Sequence, residues 1–325
     1  MSLVRRAARS PLAIVVSLVV VLLAINLGLN PGMLGPGQLP GTVKLLVPSI
    51  LVAMASVPSI MTGRGGLDLS VGPVLGIVNV FLIGLFVPYG LGGAVASIPL
   101  LLALGTAVGL VNGLLVAYVR LQPVVVTLGS YLVLAGVALV VMPQPVGGAP
   151  SWVTALSGSW LGGFLPRSAL LLVVAAAGWL VLRRLGVVGL LLAIGSEDRA
   201  AFTSGIRVPR LLCLAYAVGG FFAALAGIGL TVLIQSGDPT IGKQYTLAAV
   251  AAVALGGNPL SGGRGTMTGP VLGAVALFLI QTLLSGARVS SLWIQVVYGA
   301  VLLVAICLNS SVGGRLAARP GLEVR

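Results

Sequence analysis

Histidine is absent from this 325-residue chain, and only five residues are acidic. The first absence removes the commonest general base and metal ligand. The second leaves almost no carboxylates from which to build a hydrolytic centre. The two cysteines, Cys213 and Cys307, both fall within apolar runs and suggest neither a disulfide nor a metal site. No Gly-x-x-x-x-Gly-Lys-Ser/Thr stretch occurs, so the chain is not expected to bind or hydrolyse ATP itself. No metal, no cofactor and no enzymatic activity are expected of it. Charge of either sign is scarce: 7% of residues are charged against 58% hydrophobic, and the mean hydropathy is +1.17. A soluble protein of this size could not cover its surface with so few charges. The expected class is an all-α polytopic membrane protein.

What charge there is has one sign. Eighteen Lys and Arg against the five acids give a net charge of +13. The basic residues flank apolar runs singly or in pairs, which is the pattern that orients a membrane protein rather than one that binds nucleic acid. Ten apolar runs are long enough, or nearly so, to cross about 30 Å of hydrocarbon: 12–29, 43–62, 71–88, 93–118, 124–142, 168–182, 211–234, 246–257, 267–285 and 291–309. The eighth is short, and its helix is expected to draw on a neighbouring segment. The VRRAARS cluster before the first run reads as the flank of a retained span rather than of a cleaved signal.

With both termini in the cytoplasm, only Lys44, Arg167, Lys243 and Arg288 fall outside, and the other fourteen basic residues fall inside. That asymmetry favours ten spans. The whole chain, 1–325, then reads as one transmembrane domain with a cytoplasmic loop at 184–210 and a periplasmic loop at 143–167. Trp152 and Trp160 in the latter suit interfacial anchors.

Several stretches break the apolar pattern. Residues 65–72 read GGLDLSVG, and Asp68 is the sole carboxylate before Glu197. A charge at the bilayer centre costs about 3 kcal/mol on the insertion scale, so Asp68 is expected at a break between helices or paired. Gly65, Gly66 and Gly72 supply the break; Asp68 or Ser70 can cap the helix that follows, or contact a solute. Residues 256–265, GGNPLSGGRG, imply a tight turn. Residues 72–83 and 269–280 are alike, each following a Gly-Arg-Gly turn, by duplication or by chance.

In 183–210, the centre from Gly195 to Gly205 reads as one short helix, with Ser196 accepting at its start, Glu197 and Asp198 at its positive end and Gly205 as its stop. Such a helix is either a solvated loop helix or one that docks into another protein. Asp238, the one acid expected to face outward, sits in the turn Ser236-Gly237-Asp238-Pro239; it caps the next helix or meets a partner's basic group.

Taken together, the motifs resemble those of the permease subunits of sugar-importing ABC transporters, the ribose-permease type. GGLDLSVG at 65–72 is similar to that family's GGIDLSVG; AIGSEDRAAFTSGI at 193–206 to its cytoplasmic AIGGNxxAAxxSGI loop; LGGNPLSGGRGTMTG at 255–269 to its LGGxSLSGGRGSxxG. LVNGLLVAYVR at 110–120, QPVVVTLG at 122–129 and SGDP at 236–239 add to the match, which spans about residues 43–309. The chain departs from the family around Arg64, where two residues are inserted, and at Ser196-Glu197-Asp198.

The resemblance implies a fold of about ten transmembrane helices like that of the vitamin B12 importer permease, in a bacterial cytoplasmic (inner) membrane. It implies an importer of a monosaccharide or similar polar solute, with a nucleoside, a branched-chain amino acid or a sugar-like signalling molecule as alternative cargo. An ion-coupled transporter is the lesser alternative, because Asp68 is almost the only intramembrane ionisable group. The partners implied are a second permease copy or paralogue, ABC ATPase subunits that hold ATP and Mg²⁺, and a periplasmic or lipid-anchored solute-binding protein. Gly195, Ser196, Glu197, Asp198, Arg199, Ala200, Ser204 and Gly205 would form the helix that couples to the ATPase. Asp238 would face the binding protein.

Overall fold

The computed structural model describes residues 11–317 except 36, 161, 162 and 291. Arg5, Arg6, Arg9, Arg319 and Arg325, and the side chain of Arg315, on which the orientation of the termini rests, lie outside the described residues.

Every apolar run falls on a helix. In chain order these are α1 (Pro11–Leu29), α2 (Leu39–Met61), α3 (Val71–Val80), α4 (Ala94–Ala117), α5 (Pro123–Val141), α6 (Ser151–Ser157), α7 (Ala169–Arg184), α8 (Val187–Ser196), α9 (Asp198–Thr203), α10 (Val208–Ile234), α11 (Gly242–Leu255), α12 (Thr268–Gly286) and α13 (Leu292–Ala317). The protein is an all-α polytopic membrane protein. Among the described residues six helices are long and apolar enough to cross a membrane, and a seventh span results if α7 and α8, bent by 72°, count as one. α3 continues as a π-helical turn over Phe81–Phe86, and α11 takes in Gly242–Tyr245, four residues ahead of the apolar run.

α2 and α10 form the centre. Their faces are buried almost throughout, while α1, α4 and α5 present most of their apolar side chains outward, as a lipid-facing layer does. A chain whose exterior is as apolar as its interior gains little from the hydrophobic effect when its helices meet; close backbone packing must hold them. The glycines provide it. Gly105, Gly109 and Gly113 on α4 lie against Tyr216, Gly220 and Cys213 of α10. A Cβ built on Gly109 would lie 2.1 Å from the Tyr216 carbonyl oxygen, and one on Gly220 2.0 Å from that of Gly105. The same contact joins Gly72 of α3 to Gly242 of α11, where a Cβ on Gly72 would meet the Gly242 oxygen at 2.5 Å.

The segments sort to two ends of the bundle. At one end Lys44 Nζ donates to Ser157 Oγ at 3.0 Å, as does Gln235 Nε2 at 2.7 Å, and Trp152 Nε1 donates to the Gly92 carbonyl at 2.8 Å. There Val146–Gly147 pairs antiparallel with Ser236–Gly237. The 143–167 stretch is thus more than a loop: it holds α6 and one strand of that pair, and Ser159–Trp160 pairs with Leu165–Pro166. At the other end gather 61–66, 195–198 and 261–263.

Gly220→Val is expected to lower the thermal unfolding midpoint of the solubilised protein sharply, overpacking of this kind costing about 1–3 kcal/mol or more. Gly136→Ala, where a Cβ on α5 meets nothing within 4 Å, should leave the midpoint unchanged or slightly raised. Scanning fluorimetry of the two variants checks the contrast.

Candidate functional site: a glycine node and the helix it carries

Two of the sequence motifs, 193–206 and 255–269, meet the Gly-Arg-Gly turn at 63–65 that leads into the third. α2 ends at Met61 with Thr62 as its C-cap, and Gly63, Arg64 and Gly65 follow with φ of 72°, 54° and 69°. Three left-handed residues in succession turn the chain sharply, and the middle one is an arginine, which adopts that conformation at a cost. Gly63 lies against Gly195: a Cβ on it would stand 2.9 Å from the Gly195 oxygen, and one on Gly195 would stand 2.1 Å from the Met61 oxygen and 2.5 Å from the Gly263 nitrogen. A Cβ on Gly262 would meet Gly63 Cα at 2.3 Å. Gly263 N–H donates to the Met61 carbonyl at 3.2 Å, and Ser196 Oγ donates to the Gly263 carbonyl at 3.1 Å. The backbones therefore touch directly, with no side chain between them.

The single helix expected from Gly195 to Gly205 is not present. Gly195 and Ser196 complete α8; Glu197 is extended (φ −157°, ψ 100°), and α9 begins at Asp198. Ser196 does not cap α9, because its hydroxyl donates back to the Leu192 carbonyl at 2.9 Å and to Gly263. The physical reason is that Gly195 is fixed from two sides by the node, so the turn falls after it. The expected stop holds: Gly205 has φ +82°, and Ser204 N–H and Oγ both donate to the Ala200 carbonyl.

α9 stands off the node as a knob. Ala201 is its anchor, buried with Ile194, Val208 and Leu212. Glu197, Arg199, Ala200, Phe202 and Ser204 are exposed, Phe202 at 69%. Asp198 is not available outward in the same way, since it forms an ion pair with Arg64. The arginine of the turn after α2 and the aspartate that opens α9 are thus partners. Phe202 carries no charge and stands out in the sequence only as an aromatic in the middle of a polar segment. It lines a shallow cavity of about 430 Å³ with Tyr118, Ile206, Arg207, Pro209 and Arg210.

Asp68 lies in the break before α3, 2% exposed. Its Oδ1 accepts from Ser70 N–H at 2.9 Å and Ser70 Oγ at 2.6 Å, so it closes the turn that opens the helix, while Ser70 itself caps no N–H. Asn112 Nδ2 of α4 donates to Ser70 Oγ at 2.9 Å, and Ser130 Oγ of α5 donates to Asn112 Oδ1. Thr127 Oγ1 donates to the Leu67 carbonyl at 3.2 Å. This chain of bonds satisfies groups that lipid cannot. Asp238 closes a second such turn, its Oδ1 accepting from Thr240 N–H and Oγ1 at 2.8 Å each, and it stays partly exposed. Among the described residues no three His, Cys, Asp or Glu converge as metal ligands would.

Residues 41–306 match the family described as the permease component of branched-chain amino acid transport systems. The chain belongs to this permease family. It is 33% identical over 286 residues to the ribose import permease of Bacillus subtilis (strain 168), covering 86% of this chain and 87% of that one. It is 32% identical over 299 residues to the ribose import permease of Escherichia coli (strain K12), covering 89% and 91%. It is 30% identical over 285 residues to the autoinducer 2 import system permease LsrD of Photorhabdus laumondii, covering 85% of each. No solved structure matches the chain. In this permease the three motifs quoted for the resemblance are the three that build the node and the turn beside it.

Asn112→Leu keeps the number of heavy atoms in this buried side chain and removes both its bonds. The unfolding midpoint is expected to fall by an amount equivalent to about 1–3 kcal/mol, the cost of unsatisfied buried partners, as read by scanning fluorimetry.

Proposed function

We propose that the protein is the membrane-spanning permease subunit of an ATP-driven ABC importer, and that it carries a monosaccharide or similar small polar solute inward. The observation that carries this reading is the family membership, joined to ribose import permeases as relatives over most of both chains. The subunit is a transport component rather than an enzyme. It has ten spans in a vitamin B12 importer permease-like fold, in a bacterial inner membrane with both termini cytoplasmic. The grouping of 61–66, 195–198 and 261–263 at one end and 143–167 with 236–238 at the other supports that orientation, since these are the segments assigned inside and outside.

The ATPase subunits seat against α9, and ATP with Mg²⁺ binds in them. Glu197, Arg199 and the exposed Phe202 are the contacts the knob offers; Ser196, Ala200, Ser204 and Gly205 shape it. A push on α9 passes into the node. Because Gly195, Met61 and Gly263 touch backbone to backbone, α8, α2 and the segment leading into α12 move together. Asp68, Ser70 and the glycines Gly65, Gly66 and Gly72 hold the break that lets α3 follow α2. A second permease copy or paralogue completes the pathway, and a solute-binding protein docks at the opposite end, near Asp238. A sugar-like signalling molecule is the second reading for the cargo, supported by the autoinducer 2 import permeases among the relatives.

Glu197→Lys with Asp198→Lys is expected to abolish solute uptake in vesicles holding the full transporter while the permease still assembles in the membrane. Adding Arg64→Asp re-forms an ion pair with Lys at position 198; it should restore uptake only if orientation of the knob, rather than its surface charge, was lost. Full uptake in the double variant would remove α9 from the coupling role.

A further inference from the structure

α4 has two unlike faces. Gly105, Gly109 and Gly113 lie against α10, while Ala107, Val111, Leu114 and Tyr118 follow one another at helical spacing on the other side and are exposed. In a membrane that second stripe faces acyl chains. It ends at Tyr118, the C-cap of α4. One turn earlier α4 still touches α10, where a Cβ on Gly113 would stand 2.7 Å from Cys213 Cα. Beyond that contact Tyr118 and the first turn of α10 border the shallow cleft of about 430 Å³ that Phe202 also lines.

The charge in the cleft has one sign. Arg207, the N-cap of α10, and Arg210, in its first turn, both line it and are both exposed, and no acidic side chain lines it. The nearest acids along the chain, Glu197 and Asp198, stand at the far end of α9, and Asp198 is paired with Arg64. Arg120, two residues past Tyr118, brings a further positive charge to the end of α4. The rest of the lining includes Tyr118, Phe202 and Ile206, two aromatics and an aliphatic. Basic pockets between membrane helices, with aromatics at the level of the interface, are the form that anionic headgroup sites take.

We propose that this cleft binds one anionic phospholipid, its phosphate held between Arg207 and Arg210 and one acyl chain laid along the exposed stripe of α4. Each guanidinium presents paired N–H donors that match phosphate oxygens, and Tyr118 and Phe202 flank the glycerol region. Inorganic phosphate would answer the arginines but not the apolar stripe that runs up to them, and the same holds for an acidic side chain of a partner protein. That this end faces the cytoplasmic leaflet rests on the orientation proposed above; the site itself requires only that the chain spans a membrane.

The test places the full chain, with Tyr118→Trp as reporter, in phosphatidylcholine nanodiscs in which a rising share of lipid is brominated phosphatidylglycerol or brominated phosphatidylcholine. The chain without the added tryptophan supplies the background. Brominated phosphatidylglycerol is expected to quench the reporter at a mole fraction on the order of tenfold lower, each arginine near an anionic surface accounting for roughly fivefold in affinity. Arg210→Gln should cut that preference roughly fivefold, and Arg207→Gln with Arg210→Gln should remove it, with scanning fluorimetry showing that the fold is kept. Arg183→Gln with Arg184→Gln, which takes the same charge from the end of α7, should leave it in place. Glycerol 3-phosphate, added at matched ionic strength, should not relieve the quenching. Equal quenching by the two lipids, a preference that survives loss of Arg207 and Arg210, an equal loss in the Arg183 and Arg184 variant, or relief by glycerol 3-phosphate would overturn the site. So would a preference that disappears when the ATPase subunits bind, since the cleft would then be theirs. ATPase subunits that do not bind at all would reject the importer reading and leave the lipid site standing.

Discussion

Backbone touching backbone is the contact on which this structure depends. In lipid an apolar side chain gains little by leaving its surroundings for a neighbouring helix, so association falls to dispersion at short range and to hydrogen bonds. Both need helices that approach until nothing intervenes. The crossings of α4 with α10 and of α3 with α11 are of this type, and so is the node at which Gly63, Gly195, Gly262 and Gly263 meet. At the crossings the contact sets how the bundle packs. At the node it does something further, because three segments from different helices are locked where a polar helix leaves the bundle.

That lock bears on how force would cross the molecule. A long flexible side chain between two helices can change rotamer and absorb a small displacement. Two backbones in van der Waals contact cannot, since interiors packed this closely move as units or not at all. α9 itself is only six residues long and keeps one buried anchor, Ala201. It owes its direction to what stands beside it: the end of α8, fixed by Gly195, and the ion pair from Asp198 to Arg64. Partly exposed pairs of this kind contribute little to stability. What this one does is tie the start of α9 to the turn that follows α2.

The polar residues inside the bundle divide into two groups. Asp68, Ser70, Asn112 and Ser130 bond to one another and close the opening of α3, leaving little for a solute. A cavity of about 730 Å³ beside α11, α12 and α13 is lined instead by neutral amides and phenols, among them Tyr298 bonded to Gln281. The residue most conspicuous in the sequence, a lone carboxylate amid apolar runs, thus has a structural role.

Hydropathy and charge, read along the chain, were enough for the membrane class and for the helices on the long apolar runs, but not for α6 and α8, which fell within segments read as loops. Those properties are local, and each run carries its own signal. The motifs at 65–72, 193–206 and 255–269 were also legible, but only as separate glycine-rich breaks. Their meeting was not, because a glycine says that something can come close and never what comes. For the same reason the helix expected from Gly195 to Gly205 begins only at Asp198: capping chemistry favoured Ser196, and a contact from another part of the chain claimed Gly195 first. The pairing of Arg64 with Asp198 and the exposure of Phe202 were decided by tertiary structure alone, since each depends on which segments are neighbours, and in a chain this uniformly apolar the pattern of one helix does not select its partner.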